Sequence, residues 1–166
     1  MLAREKILKL EDLALIVHQA QASNKVVAMC HGCFDILHMG HVRHFEAARA
    51  MADVLVVTVT QDRFVNKGPS RPVFPEAQRA EVLAGLSIID WVAVNRWGSA
   101  VETIRLIRPN LFIKGQEYES RAEQVNPNFL EEAKVVKEVG GKFAFTRNKF
   151  TSSSTRAFKR LEQNEE

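Results

Sequence analysis

The chain alternates short apolar segments with longer amphipathic ones, and this alternation limits the folds open to it. Residues 26–30, 54–60, 91–94 and 111–113 are apolar runs, several of them rich in β-branched residues. Such runs are typical of strands buried on both faces. A fifth strand is predicted over 142–146. Between these runs apolar residues recur at helical intervals, so strands and helices are predicted to follow one another in turn.

Strands that alternate with helices predict a parallel sheet covered by helices on both faces. Right-handed crossovers make this a Rossmann-like, doubly wound α/β fold with five parallel strands in a single domain. Residues 1–24 are predicted to form an added N-terminal helix, 25–162 the domain and 163–166 a tail. Ligands of such sheets bind beyond the carboxyl ends of the strands, so the site is expected in the segments that follow them.

Composition excludes several classes of function. The 166 residues are 46% hydrophobic and 26% charged, which is the balance of one globular domain. The net charge of +3 comes without a cluster of basic and aromatic residues, so nucleic acid is not an expected partner. No apolar run approaches the roughly 20 residues that span a membrane. The first residues also lack the pattern of a signal peptide, so a cytoplasmic location without a membrane partner is expected.

The two cysteines, Cys30 and Cys33, are spaced as C-x-x-C but have no second pair with which to complete a structural zinc site. Cys30 is therefore predicted to pack within a strand, and no metal site made of protein ligands is expected.

The first predicted strand runs into the segment 32–41, which reads GCFDILHMGH. His38 and His41 stand three residues apart around Gly40, where a helix is expected to begin. Backbone N–H groups and the positive end of a helix favour bound phosphate. Imidazole donors beside them can hold charge that develops on phosphorus during a transfer. A zinc cluster with His44 is the alternative, but His38 is expected to precede the helix. His31 and His44 are predicted to be structural or solvated.

This segment resembles the G-x-F-D-x-L-H-x-G-H signature of the cytidylyltransferase-like nucleotidyltransferases. Enzymes of that family transfer a nucleoside monophosphate from an NTP to a phosphorylated small molecule and release pyrophosphate. The resemblance implies that His38 and His41 are catalytic and that Asp35 contacts the substrate. The residues that it places at the nucleotide are Gly32, Cys33, Phe34, Gly40 and His41.

Two further loops extend the resemblance. Residues 67–73, KGPSRPV, look like the K-G-x-S-R-P-V of heptose-1-phosphate adenylyltransferases. This implies a catalytic Lys67 and substrate contacts from Arg71 and from Arg79 of the next helix; a solvated basic surface is the alternative. Residues 113–118, IKGQEY, are similar to V-K-G-G-D-Y, which implies that Lys114 and Gly115 bind the nucleotide. The departures at positions 116 and 117 leave the preferred base or sugar open.

The last loop carries consecutive hydroxyl residues. In the resemblance, Ser152, Ser153 and Ser154 take the place of an S-T-T motif that binds the nucleotide. Hydroxyl and N–H groups at a helix start can bind phosphate oxygens. A simple N-cap is the alternative.

The expected activity is transfer from ATP to a sugar phosphate such as heptose 1-phosphate. A CTP-dependent cytidylyltransferase acting on glycerol 3-phosphate or another alditol or amino-alcohol phosphate is the first alternative, and a non-catalytic nucleotide-binding module the second. Mg²⁺ is expected to enter with the NTP as the cofactor. Relatives of this kind are often joined to a sugar kinase, so a separate or fused kinase is an expected partner. The N-terminal helix has three open roles: packing on the domain, docking the kinase, or forming a homodimer.

Overall fold

The computed structural model describes residues 2–116 and 128–147. Within them six strands and five α-helices alternate. The strands are β1 Ile7–Leu8, β2 Val27–Gly32, β3 Val54–Thr60, β4 Trp91–Asn95, β5 Leu111–Gly115 and β6 Lys142–Thr146. The helices are α1 Leu10–Ala22, α2 Met39–Arg49, α3 Glu76–Ala84, α4 Val101–Ile107 and α5 Phe129–Glu138. Short 3-10 helices cover Ala3–Lys6 and Asp62–Phe64.

The strands form one sheet in the order β1-β4-β3-β2-β5-β6, and every neighbouring pair is parallel. From β2 the chain winds outward through β3 to β4, then returns to the other side of β2 as β5 and β6. The predicted Rossmann-like, doubly wound α/β class is confirmed. The direction of winding reverses between β2 and β5, and crevices at such reversal points bind ligands in open parallel sheets.

Two apolar layers hold the sheet between its helices. Alternate strand residues face opposite ways: Met29 joins the layer of α1, α4 and α5, whereas Cys30 joins the layer of α2 and α3. Cys30 is completely buried, as predicted, and burial raises the pKa of its thiol to about 12. The strands are apolar on both sides because both faces of the sheet are covered.

The N-terminal segment differs from the prediction of one continuous helix. A 3-10 turn and the two-residue strand β1 precede α1, and β1 pairs with β4, so the sheet has six strands, one more than predicted. Lys6 Nζ donates to the carbonyls of Leu86 and Ile89, which fastens the segment beside the end of α3. Helix α1 itself belongs to the core, since Leu13 and Val17 are fully buried.

The helix predicted to begin near His41 begins at Met39, because His38 is extended and caps it through its own side chain. No helix in the described parts of the chain combines the length and apolarity that crossing a membrane requires. The closing helix predicted near 152–161 and the tail lie outside the described residues.

Candidate active site

The carboxyl ends of β2 and β5 lie side by side at the reversal point of the sheet, and the space beyond them is here called the crevice. β2 ends at Gly32 and continues through the loop 33–38 into α2, and β5 ends at Gly115. Residues Ala28 to Cys30 of β2 pair with Leu111 to Ile113 of β5. The two glycine-ended strands are therefore direct neighbours, and both motifs predicted at the nucleotide reach one crevice.

Two imidazoles lie together where α2 begins. The rings of His38 and His41 have centroids 3.9 Å apart. The Gly40 N–H donates to Nδ1 of His38 at 3.1 Å, and the His38 N–H donates to Nδ1 of His41 at 3.4 Å. A nitrogen that accepts from a backbone N–H carries no proton, so each neutral ring holds its proton at Nε2. The backbone thus orients two Nε2–H donors at the positive end of a helix.

Both rings are held in the neutral state. Burial lowers the pKa of His38. The pKa of His41 falls to about 3, chiefly through burial and then through the repulsion that a protonated His41 would meet from the protonated forms of His38 and His44 and from Lys67. At neutral pH the pair therefore offers hydrogen-bond donors to an anion without being imidazolium ions.

Phe34 supports His41 from the loop before α2. Its φ of 49° lies in the left-handed region, which non-glycine residues adopt at a cost and mostly at functional sites. Its ring meets that of His41 edge to face at 5.6 Å and packs against Phe45 at 5.2 Å. A Cβ added to Gly32 would stand 3.0 Å from this ring, so the strand end needs glycine for the phenyl group to lie there.

Asp35 was predicted to contact substrate, but the structure turns it inward. Its side chain is fully buried and accepts from Arg71 Nε at 2.5 Å and from the N–H groups of Val73 and Phe74. Burial alone would raise the pKa of Asp35, yet these N–H donors and Arg71 together lower it. Asp35 and Arg71 thus lock the loop 33–38 to the loop 61–75, and neither side chain is exposed by more than 3%.

Arg79 is also buried where a substrate contact was predicted. Its guanidinium donates to the carbonyls of Phe74, Cys33 and Thr60 and to the carboxylate of Asp62. An arginine fork that is occupied in this way holds backbone segments in place. The contacts of Arg71 and Arg79 therefore position the backbone of the two loops, and Arg79 holds the carbonyl of Cys33 at the end of β2. Contact of either arginine with substrate stays a prediction.

Lys67 lies at the exposed tip of the loop that these arginines anchor. Gly68 beside it has a φ of 103°, and its carbonyl accepts from the Arg71 N–H, closing a tight turn. Burial and then nearby charges, that of Lys67 among them, lower the pKa of His41. Burial raises the pKa of Cys33, and the charge of Lys67 opposes this shift. Its role as a catalytic residue stays a prediction, now with a location near the paired imidazoles.

The opposite wall of the crevice contains a buried ion pair. Lys114 of β5 lies 3.3 Å from Glu132 of α5, and their side chains are 5% and 2% exposed. The other carboxylate oxygen of Glu132 accepts from the Ala100 N–H at the start of α4. Lys114 was predicted from its motif, whereas Glu132 was not. The signal for it was an acid on the apolar face of a helix, three residues after Phe129 and three before Val135.

Two histidines outside the predicted site make specific contacts. His31 Nδ1 lies 2.9 Å from the hydroxyl of Thr58 on the neighbouring strand, and burial lowers the pKa of His31 to about 3. His44 Nδ1 lies 2.7 Å from the hydroxyl of Thr146 at the end of β6. His31 therefore has the predicted structural role, and His44 connects α2 with the far side of the crevice.

Within residues 2–116 and 128–147, no three His, Cys, Asp or Glu side chains group in a way that could hold a metal ion. Some of the predicted site lies outside the described residues: Ser152, Ser153 and Ser154, and positions 117–118 at the end of the segment 113–118.

A Rossmann-like sheet with paired imidazole donors at its switch point is typical of α/β proteins that bind phosphate-containing ligands. Residues 29–160 match the model of the cytidylyltransferase-like family, and this range includes the residues on both sides of the crevice. The chain belongs to this family, and it is accordingly a nucleotidyltransferase.

Curated relatives agree with this assignment. The chain is 36% identical to the bifunctional protein HldE of Aliarcobacter butzleri over 159 residues, which are 95% of this chain and 30% of that protein. It is 42% identical to HldE of Pseudomonas fluorescens over 114 residues, 68% of this chain and 24% of the relative. The chain spans less than a third of the length of these relatives.

Solved structures share the fold. A lipopolysaccharide core biosynthesis protein from Thermoplasma volcanium aligns with a TM-score of 0.61 at 21% identity, over 76% of this chain and 99% of that one. A pantoate-beta-alanine ligase from Francisella tularensis, complexed with an ATP analogue and beta-alanine, aligns with a TM-score of 0.63 at 14% identity, over 92% of this chain and 72% of that one.

Proposed function

We propose that the chain transfers AMP from ATP to a sugar 1-phosphate, of which heptose 1-phosphate is the leading candidate, and releases pyrophosphate. The observation that carries the transfer chemistry is the pair of neutral imidazoles, His38 and His41, whose Nδ1 atoms are held by backbone N–H groups at the start of α2. The choice of a sugar 1-phosphate as the acceptor is supported by the K-G-P-S-R-P-V loop and by the similarity to HldE proteins.

In this reaction a phosphate oxygen of the acceptor attacks the α-phosphorus of ATP in line, and the bond from that phosphorus to the pyrophosphate oxygen breaks. The Nε2–H groups of His38 and His41 donate to phosphate oxygens as charge develops on them. The N–H groups at the start of α2 favour the same anions. Lys67, on its anchored loop, approaches the phosphates from solvent. The protein thus acts mainly by positioning and by charge stabilisation.

Magnesium fits this site as an ion carried by the nucleotide. The carboxylate of Asp35 already accepts three N–H groups, and that of Asp62 binds Arg79. Neither carboxylate is disposed to serve as a main ligand. Mg²⁺ keeps several waters and binds readily through substrate phosphates, where it would neutralise charge on the leaving pyrophosphate.

The test is pyrophosphate release from Mg²⁺ with ATP or CTP and a panel of acceptors: heptose 1-phosphate, other sugar 1-phosphates and glycerol 3-phosphate. We expect release that depends on ATP and a sugar 1-phosphate. His41→Ala should lower the rate at least about 100-fold, the cost of losing one preorganised donor to a developing oxyanion. His18→Ala, which removes an exposed histidine of α1, is the matched control and should keep the rate.

Release with CTP and glycerol 3-phosphate would replace the proposed substrates and keep the class. Nucleotide binding with no release across the panel would favour a binding module, and an unchanged rate in His41→Ala would refute the role of the paired imidazoles. A kinase partner, a homodimer and a cytoplasmic location stay predictions that size measurements and localisation can address separately.

A further inference from the structure

His44 is a third histidine of α2, and the proposed chemistry does not use it. It lies one helical turn beyond His41, and its Nδ1 is 2.7 Å from the Thr146 hydroxyl oxygen. Burial, and then the charge of Lys114, lower the pKa of His44 to about 4. The ring is therefore neutral at physiological pH and holds a single proton.

The two contacts of the Thr146 hydroxyl favour one position for that proton. Thr146 is the last residue of β6 and is buried, and its hydroxyl donates to the Lys114 carbonyl at 3.5 Å. A hydroxyl group has one proton, so when that proton is given to the Lys114 carbonyl the same oxygen accepts from His44. His44 then donates from Nδ1, which is the opposite tautomer from that of His38 and His41.

This hydrogen bond spans the switch point of the sheet. Phe45 and Ala48 pack α2 on the layer that it shares with α3, whereas His44 joins α2 to β6 on the far side of β5. The far wall is itself braced, since the Lys114 side chain pairs with Glu132 and Glu132 accepts from the start of α4. The contacts of His44 and Thr146 therefore connect α2 to β5, the strand that carries the Lys114–Glu132 pair on its other face.

We propose that His44 is a positioning residue that, through Thr146, holds His38 and His41 in register with the wall formed by β5 and β6. This inference rests on the proposed function and on the prediction that Lys114 and Gly115 of β5 bind the same nucleotide as His38 and His41. Loss of the His44–Thr146 hydrogen bond would misplace the imidazole donors of His38 and His41 relative to the α-phosphorus. Small misplacements of this kind lower the rate strongly, even when the substituted residue lies far from the reacting atoms. The effect should fall mainly on kcat.

Paired variants separate the hydrogen bond from simple packing. Thr146→Val removes the hydroxyl at nearly constant shape, and Thr146→Ser keeps it. His44→Asn keeps an N–H donor near the Nδ1 position, whereas His44→Gln moves the donor toward Nε2. We expect kcat to fall about 10-fold in Thr146→Val and in His44→Gln, with KM changed less than about twofold. Misplaced donors weaken binding of the transition state and leave binding of the substrate nearly unchanged. Thr146→Ser and His44→Asn should recover most of it.

The double variant His44→Gln/Thr146→Val should be no slower than either single variant, because both remove one shared interaction. Losses that multiply would overturn the proposal. Circular dichroism establishes that each variant is folded. If Thr146→Val does not fold, the comparison of His44→Asn with His44→Gln decides the matter, and equal kcat values in those two would equally overturn it.

Nitrogen-15 NMR of the histidine rings distinguishes failure of this proposal from failure of the proposed function. Wild-type His44 should be protonated at Nδ1, and His38 and His41 at Nε2. A non-hydrolysable ATP or CTP analogue with Mg²⁺ should shift the rings of His38 and His41, and the absence of any shift would refute the proposed nucleotide site. If the analogue shifts the His38 and His41 signals equally in the wild-type protein and in Thr146→Val, and kcat is unchanged, positioning by His44 is refuted. The proposed nucleotide site would still stand in that case.

Discussion

At the scale of single residues, the motifs predicted which residues gather at the site better than they predicted what each residue contacts. The segment 32–41 predicted where the paired imidazoles lie, because a glycine-bounded turn before a helix has few geometries open to it. It did not predict that Asp35 would face Arg71, since a motif shows which residues gather at a site and not which of them bind one another. Asp35, Arg71 and Arg79 have the residue types of substrate contacts, yet their side chains are buried in holding two loops together.

Asp35→Asn tests this buried lock. The substitution keeps the shape but leaves the Arg71 guanidinium without its anionic partner in a buried place. Breaking a buried pair in this way costs about 3–5 kcal/mol, so we expect the free energy of unfolding in urea to fall by about that amount. Glu46→Gln, which removes an exposed partner of Arg43, is the control and should change it by less than about 1 kcal/mol. Equal effects of the two changes would contradict a structural role for Asp35.

At the scale of helices and strands, the apolar runs predicted β3 at its observed range and β4 to within one residue, because parallel strands covered on both faces leave an unbroken apolar signature. The edge strand β6 was also predicted at its observed range, 142–146. Strand β1 was missed since two residues cannot show a periodicity, and its pairing with β4 depends on tertiary contacts. Helix α2 was placed two residues late because the capping ability of His38 depends on its extended backbone, which sequence spacing does not reveal.

The Lys114–Glu132 pair joins β5 to α5 and gives a prediction at this scale. Glu132→Gln leaves a buried ammonium group without its carboxylate, so we expect the free energy of unfolding to fall by about 3–5 kcal/mol. The double substitution Lys114→Met/Glu132→Leu removes both charges and should recover most of that loss, since apolar replacement of a buried pair is often neutral.

Glu138→Gln on the same helix is the matched control, because that carboxylate is 44% exposed and should contribute less than about 1 kcal/mol. Chemical denaturation of all four proteins at one pH provides the comparison. A Glu132→Gln protein as stable as Glu138→Gln would show that the buried pair does not brace this wall.

At the scale of the whole molecule, the site and the fold share one electrostatic requirement. Burial keeps His41 neutral, and His31 and His44 are buried as well, so the pKa of each of these three histidines is depressed. Their neutral state belongs to the folded protein. Unfolding returns each ring to water, where its pKa is near 6.5. As the pH falls, protons therefore bind first to the histidines of the unfolded chain. The stability of the protein should decrease, and with it the fraction of molecules that has a formed crevice.

This linkage predicts how stability depends on pH. The folded pKa values are about 3, 3 and 4 for His31, His41 and His44, so below about pH 6.5 the unfolded chain binds protons that the native protein does not. The stabilisation is complete above pH 6.5 and is lost as the pH falls toward 4. Each histidine contributes at most about 1.4 kcal/mol per pH unit. Asp35, whose pKa is also lowered, acts in the same direction at more acidic pH.

Urea unfolding measured at intervals between pH 7 and 5, above the range in which carboxylates titrate, isolates the histidines. We expect the free energy of unfolding to fall steadily over this interval. His44→Asn removes one of the four histidines whose pKa the fold lowers, His38 included, and should reduce the slope by about a quarter to a third, whatever it does to the stability at pH 7. A slope near zero in the wild-type protein would mean that these rings accept protons in the folded state. The neutral donors assigned to His38 and His41 would then have to be reconsidered as imidazolium ions.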